Sequence, residues 1–296
     1  MRFANRNVIV TGASKGIGRA IAMGLLAEGA NLAVIARTKS ALEELVEEAK
    51  RKGQRAVAIP ADVGDRDQVK QAVERARKEL KIIHGLVNSA GVLDNEGIAN
   101  HSEEVWHRTF AVNVHSYFYT TRAVIGEMFE RRQGRILNII STSGKMAIGP
   151  NRAAYVASKH ALMGFTREIA VEAAPHNVNV NAICPGFVLT EMVEDSMRKF
   201  AKDFGKTVEE TRKIFIDKMP TKRFIAPEEV VPLALFLLSD DVGAVMGQTI
   251  SVDGAVAPLE RDHHSDYEDN AGGRERADQE VVLESDGWLQ MYRVVV

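Results

Sequence analysis

Tyr155 and Lys159 are the first residues in this chain whose types and spacing suit chemistry. On a helix running from Ala153 to Ala173 they stand one turn apart on the same face. A phenol beside an ammonium group makes a proton donor. Free tyrosine titrates near pH ~10, too high for acid–base work at neutrality. Moving that value down by about three units takes about 4 kcal/mol of preference for the phenolate. One unit charge at about 4 Å supplies roughly this much at an effective dielectric near 20. Lys159 is therefore expected to lower the Tyr155 pKa and make it a general acid and base. A serine from another segment would hold a carbonyl oxygen beside the phenol, and Ser141-Thr142-Ser143-Gly144 is the nearest supply.

Tyr-x3-Lys also arises by chance, as a half-buried tyrosine with a surface lysine, so the weight falls on the elements around it. Asn7 to Val10 is short, apolar and β-branched, as a fully buried strand would be. It runs into Thr11-Gly12-Ala13-Ser14-Lys15-Gly16-Ile17-Gly18, and an apolar-periodic helix follows from Arg19 to Glu28. Strand, glycine turn and helix together cradle a phosphate. Glycines let the backbone approach a pyrophosphate, and a helix N-terminus favours its charge. The spacing is G-x3-G-x-G, not the dinucleotide pattern G-x-G-x-x-G. The expected contacts are Gly12, Ser14, Lys15, Gly16, Ile17 and Gly18.

The second strand, Asn31 to Ile35, leads to Ala36-Arg37, where an acid would otherwise grip the ribose hydroxyls. Arg37 suits a 2′-phosphate through paired N–H donors, and Lys15 adds a second cation. NADP(H) is thus expected over NAD(H); a solvated loop arginine is the plainer alternative. Ala56 to Ile59 is a third strand, followed by Ala61-Asp62-Val63. Asp62, with Val63 beside it, is placed to accept from an adenine amino group. Gly85 to Val87 is a fourth strand, ending at Asn88-Ser89-Ala90-Gly91. Asn88, Ala90 and Gly91 are small enough to let a ribose come close.

In the second half, Val105 to Asn113 has helical spacing, with Trp106, Phe110 and Val114 expected in the core. Asn113 is a polar amide inside that apolar run and needs a partner. Arg135 to Ile140 is a fifth strand that delivers Ser141 to the carboxyl edge of the sheet, where ligands bind in open α/β folds. Val178 to Ile183 is a sixth strand. Pro185 and Gly186 then fix a turn, and with Val188 and Thr190 they complete the expected cofactor set. Cys184 reads as a small buried hydrophobe. Glu191 to Met219 carries Met192, Met197, Phe200, Phe204 and Phe215. Pro227 to Leu238 reads as a helix and Thr249 to Val252 as the last strand.

The totals describe an ordinary globular chain of 296 residues, 45% hydrophobic and 26% charged. From Ala255 onward ten acidic residues face four arginines, a net of −6, so the body carries +4 of the overall −2. That balance fits an anionic cofactor or substrate but lacks the clustered basic stripe of a nucleic-acid binder. No run reaches the length of a membrane span, and no signal peptide is evident. A single cysteine rules out an internal disulfide framework. The expected address is cytoplasmic.

From Arg6 to about Ala255 the sequence resembles the short-chain dehydrogenase/reductase family. The marks are Gly12/Gly16/Gly18, Asn88-Ser89-Ala90-Gly91, Tyr155-x3-Lys159 and Pro185-Gly186-x3-Thr190. Ser89 stands where the family more often has asparagine. The resemblance implies a single Rossmann-type α/β domain over 1–254, a doubly wound seven-stranded parallel sheet, with a C-terminal tail over 255–296. It implies that Tyr155 protonates a substrate carbonyl oxygen and that Ser141 binds the same oxygen. Lys159 would hold the nicotinamide ribose, and Asn113 would order a water beside the lysine. Ser141 lies three residues after Asn138, as in the family. Counting back from Tyr155 lands on Thr142, and Ser143 stays open as the alternative. Glu191 to Met219 would form a lid. The implied reaction is NADP(H)-dependent reduction of a carbonyl to a secondary alcohol, with a 3-oxoacyl thioester as the leading substrate. Alternatives are another secondary alcohol (hydroxy acid, sugar or steroid) or a non-catalytic NADP-binding regulator. A homotetramer or homodimer is implied as well.

The tail departs from this pattern. Arg261 to Gln279 reads as linker or disorder. His263, His264 and Asp266 are weighed as metal ligands, and no metal is expected. Glu280 to Ser285 and Trp288 to Val294, around Asp286-Gly287, resemble a hairpin. It would dock on its own domain or on a neighbouring subunit, since a lone hairpin is marginal in water.

Overall fold

The computed structural model describes residues 1–147 and 151–256. Strands and helices alternate: β1 Asn7–Thr11, α1 Gly16–Ala27, β2 Asn31–Ala36, α2 Lys39–Arg51, β3 Ala56–Pro60, α3 Arg66–Leu80 and β4 Gly85–Asn88. Then come α4 Glu103–Phe110, α5 Ser116–Arg131, β5 Gly134–Ile139, α6 Ala153–Ala173, β6 Val178–Pro185, α7 Glu191–Asp203, α8 Val208–Lys218, α9 Val231–Leu238 and β7 Thr249–Val252. The strands form one seven-stranded sheet in the order β3-β2-β1-β4-β5-β6-β7, and every pairing is parallel. The expected doubly wound architecture is thus present. The order reverses between β1 and β4, and ligands bind in the crevice that such a reversal opens.

Strand sequence follows from covering both faces. On β1, Val8 and Val10 pack with α1, α2 and α9 residues such as Leu25, Leu45 and Leu235. Ile9, between them, points the other way, towards Val73, Val124 and Met128 on α3 and α5. Buried on both sides, such strands are continuously apolar rather than alternating. Asp65 starts α3 by accepting from the N–H groups of Asp67 and Gln68, satisfying donors that have no partner inside the helix.

Two local expectations change. The helix from Val105 does not end near Asn113: a π-helical turn at Ala111–His115 fuses α4 to α5. This wider turn rotates the buried face. Thr109, Val112, Asn113, Ser116 and Tyr117 are buried, whereas Trp106, Phe110 and Val114 are only half-buried. The two aromatics stack on each other at 5.1 Å. The expected helix over Pro227–Leu238 opens as a 3-10 turn, Pro227–Val230, before α9. The tail beyond 256, with its expected hairpin and histidine pair, lies outside the described residues. Among the described residues no helix is long and apolar enough to cross a membrane, and no cluster suits a metal ion.

Candidate active site

A cleft of about 300 Å³ runs along the carboxyl ends of the strands. It gathers the glycine loop, Arg37, Asp62, Val63, Ala90, Gly91, Ser141, Tyr155, Lys159, Pro185, Gly186, Val188 and Thr190. Segments far apart in sequence meet here because each follows a strand and all the strands point the same way.

The backbone shape of the cradle depends on glycine. Gly12 has φ +66°, and a Cβ there would stand 2.7 Å from the Ala90 nitrogen. A Cβ on Gly18 would meet the Gly12 carbonyl oxygen at 2.4 Å. The loop therefore folds close against the Asn88–Gly91 segment, as a pyrophosphate cradle requires. On this ground the residues present fit the pyrophosphate of a dinucleotide.

Several expected residues turn out to be engaged elsewhere. Lys15 reaches Glu191 at the start of α7, Nζ to Oε2 2.5 Å, so it ties the glycine loop to that helix. Arg37 is exposed at the rim, directly after β2. Asp62 accepts from Arg108 Nη2 at 2.8 and 3.1 Å and from the Gly64 N–H at 2.9 Å. Burial raises its pKa, but the Arg108 and Gly64 hydrogen bonds prevail and hold it below the usual carboxylate range. Arg108 was not legible as a site residue, since nothing separates it in sequence from other helix-surface arginines.

Asn88 departs from its expected place in the cofactor set. Its side chain turns into the sheet, donating to Asn138 Oδ1 at 3.0 Å and accepting from Thr120 Oγ1 at 2.7 Å. Asn113 also lies beneath the cleft, not in its wall. Its Oδ1 accepts from the Val92 N–H at 2.8 Å. Its Nδ2 donates to the Val92 carbonyl at 3.0 Å and to Ser158 Oγ at 3.1 Å. The π-turn aims it at the loop that leaves β4, as such turns often do at functional sites.

The chemistry end is a smaller cavity of about 70 Å³, lined by Ser141, Thr142, Ser143, Arg152, Tyr155, Phe187, Met192 and Phe215 among others. The Ser141 hydroxyl is a hydrogen-bond partner of the phenol and accepts from the Ser143 N–H at 3.1 Å. Of these two cavities Ser143 lines the smaller, whereas Ser141 lines both. Lys159 Nζ lies 5.5 Å from the centre of the Tyr155 ring and 3.5 Å from the Ile139 carbonyl oxygen.

The electrostatics correct one expectation. Burial dominates both members of the pair. It pushes the Tyr155 phenol up, against the lowering effects of the Ser141 hydrogen bond and the Arg152 charge. It pushes Lys159 down to about 8. A charge favouring the phenolate comes from Arg152, which sequence reading had not singled out. Its signal was its place three residues before Tyr155, at the entry to the helix.

A family profile described as short chain dehydrogenase matches residues 6–200. D-beta-hydroxybutyrate dehydrogenase of Rhizobium meliloti is 37% identical over 254 residues, covering 84% of this chain and 97% of that protein. The 3-oxoacyl-[acyl-carrier-protein] reductase FabG of Thermotoga maritima is 34% identical, covering 86% and 99%. Among solved structures, actinorhodin polyketide ketoreductase with NADPH superposes with a TM-score of 0.82 at 31% identity, covering 86% of this chain and 98% of that one.

Proposed function

The chain belongs to the short-chain dehydrogenase family, and on that premise we propose that it interconverts a carbonyl and a secondary alcohol with NADP(H). The observation that carries the reading is the convergence of Tyr155, Ser141 and Lys159 at the inner end of a dinucleotide-shaped cleft. A bound nicotinamide supplies or accepts the hydride. The chain supplies position and the proton. Tyr155, with its raised pKa, is a neutral phenol at physiological pH, the form that donates to a carbonyl oxygen. Ser141 is the second donor to that oxygen; its hydroxyl already partners the phenol, which favours it over Ser143. Lys159 presents an ammonium to the cofactor ribose. Asn113 fixes the Val92 segment and Ser158 behind the reacting groups, and ordering a water beside Lys159 stays its proposed second role.

NADP(H) rests chiefly on Arg37. Lys15 would have to leave Glu191 to meet a 2′-phosphate. The exposed Phe118 and Val171, on α5 and α6, support an assembly of two or four chains.

A 3-oxoacyl thioester remains one substrate reading. Arg152 favours the other, a short hydroxy acid or 3-oxo acid. It brings a guanidinium, largely withdrawn from water, into the 70 Å³ cavity beside the phenol. A free carboxylate matches that charge, and an uncharged thioester carbonyl does not. The name of the Rhizobium meliloti relative points the same way. The test follows NADPH absorbance with a 3-oxo acid, its methyl ester and its thioester, using wild type and Arg152→Met. A KM for the acid raised about tenfold or more in the variant, with the KM for the ester changed far less, supports the hydroxy-acid reading. Turnover of thioester alone removes it. No oxidation or reduction of any carbonyl or alcohol in a broad panel removes the enzymatic reading.

A further inference from the structure

We infer that Asp94 and His101 form a charged strut that holds the first turn of α6, and so positions the Tyr155 phenol, with His101 acting as an imidazolium. The inference rests on Tyr155 being the acid–base group proposed above, and it adds residues that no part of that proposal uses. Both are positioning residues, since neither lines the reacting cavity.

Asp94 lies in the loop after β4, and its side chain is wholly withdrawn from solvent. Its Oδ1 accepts the backbone N–H of Tyr155 at 2.8 Å. Tyr155 is the third residue of α6, and its N–H is one of the donors that a helix start leaves without an internal partner. Arg152, at the N-cap position, makes no side-chain cap bond. The cap is lent instead by a segment 61 residues earlier. A short backbone bridge between Glu96 and Arg152 closes the same loop onto the helix entry.

The other carboxylate oxygen, Oδ2, is 2.9 Å from His101 Nε2. His101 Nδ1 lies 3.1 Å from the Ser102 carbonyl oxygen. Both ring nitrogens therefore face acceptors. A neutral imidazole has one N–H and would set a lone pair against one of them; only the imidazolium donates to both. The ring is 4% exposed, with the Trp106 ring edge-on at 5.9 Å.

The charged surroundings agree with a cation. Within the loop, Asp94 and Glu96 face the ring, Glu96 Oε2 at 4.0 Å from Nδ1. From α4 come the exposed acids Glu103 and Glu104 of its first turn. On the α6 side, Arg152 and Tyr155 stand beyond Asp94. From α7, Lys199 reaches only as far as the Asn95 carbonyl, at 2.8 Å. The Asp94 hydrogen bond holds the His101 pKa above the ordinary imidazole value of 6.5.

Deprotonation above that value would leave a buried Asp94 carboxylate short of a charged donor and loosen its hold on Tyr155. A misplacement of about 1 Å at a reacting group can lower a rate by about a hundredfold. The test compares wild type, His101→Leu and His101→Gln. Amide hydrogen exchange of peptides covering 153–158, corrected for intrinsic rate, is read from pH 5.5 to 9.5. NADPH-dependent turnover is read over the same range. Wild type should be protected at low pH and lose protection and kcat together as His101 titrates. His101→Leu should exchange at a weakly protected, pH-flat level, with kcat down at least tenfold at pH 5.5, only the Lys159 titration near pH 8 left in its kcat profile, and the cofactor KM unchanged. His101→Gln keeps one neutral donor and should recover part of both the protection and the kcat, without a pH step in exchange. Equal protection in wild type and His101→Leu at every pH overturns the strut, as does lost protection with unchanged kcat. Absence of turnover in wild type, seen before any variant is made, overturns the reading of Tyr155 instead.

Discussion

Replacing Lys159 by methionine isolates the cost of keeping an ammonium group in a dry pocket. Lys159 is 3% exposed, and the one side-chain hydrogen bond it makes among the described residues, to the Ile139 carbonyl, is long at 3.5 Å. Burial brings its pKa from 10.5 to about 8. Each pH unit of such displacement corresponds to about 1.4 kcal/mol, so the charged side chain destabilises the cofactor-free fold by about 3 kcal/mol at pH 7. The sign follows from proton counts. Between pH 8 and 10.5 the unfolded chain holds the proton and the folded chain has released it, so stability rises with pH across that window. The penalty is complete below it and gone above it. Methionine has similar length and no charge. Losing the weak hydrogen bond and the contact with the Tyr155 ring returns about 1 kcal/mol. The net expectation is a gain of about 2 kcal/mol at pH 7, or about 4–8 °C in melting temperature for a domain of this size. Urea unfolding of wild type and Lys159→Met at pH 7 and pH 10.5, without cofactor, measures it. Comparing the two proteins at each pH cancels the titrations that do not depend on Lys159; Cys184 is coupled to it, though burial is the larger cause of the shift in each. A variant no more stable than wild type at pH 7, or a gap that persists unchanged at pH 10.5, refutes the reasoning. The same variant should lose turnover.

Tyr155→Phe should bind NADPH normally in a fluorescence titration and lose about 10²- to 10⁴-fold in kcat, the range for removing a general acid. Arg37→Gln should weaken NADPH binding by about tenfold to a hundredfold, the worth of one charged hydrogen-bond pair, and leave NADH binding unchanged; equal effects on both would place Arg37 outside the phosphate site. Gly12→Ala should lower stability by more than about 1 kcal/mol in a thermal melt and also cut cofactor affinity, because φ +66° and a 2.7 Å clash with the Ala90 backbone leave no room for a methyl group.

The legible parts of the chain were those in which short-range chemistry decides. Asn7–Val10 running into Gly12 was readable because a buried parallel strand is uniformly apolar and a phosphate turn needs glycine. The α7–α8 region, by contrast, offered only methionines and phenylalanines at helical spacing. Met197, Phe187 and Phe215 do meet in one apolar cluster there, but no local pattern says over which cavity it sits. The π-turn at Ala111–His115 was hidden, since apolar spacing assumes a regular helix, and nothing in that spacing told that Trp106 and Phe110 are only half-buried.

By itself the sequence determined the order of the elements, the glycine cradle and the one-turn spacing of Tyr155 and Lys159, while the parallel sheet was implied by the family resemblance. The first three follow from periodicity, turn chemistry and the geometry of a helix. Tertiary structure alone decided the company those groups keep. It sent Asn88 into the sheet, tied Lys15 to Glu191, set Arg152 against the phenol and brought Asp94 and His101 behind it. It also turned the expected lowering of the Tyr155 pKa into a rise. Desolvation is a property of everything that surrounds a group, and no stretch of neighbouring residues carries that information.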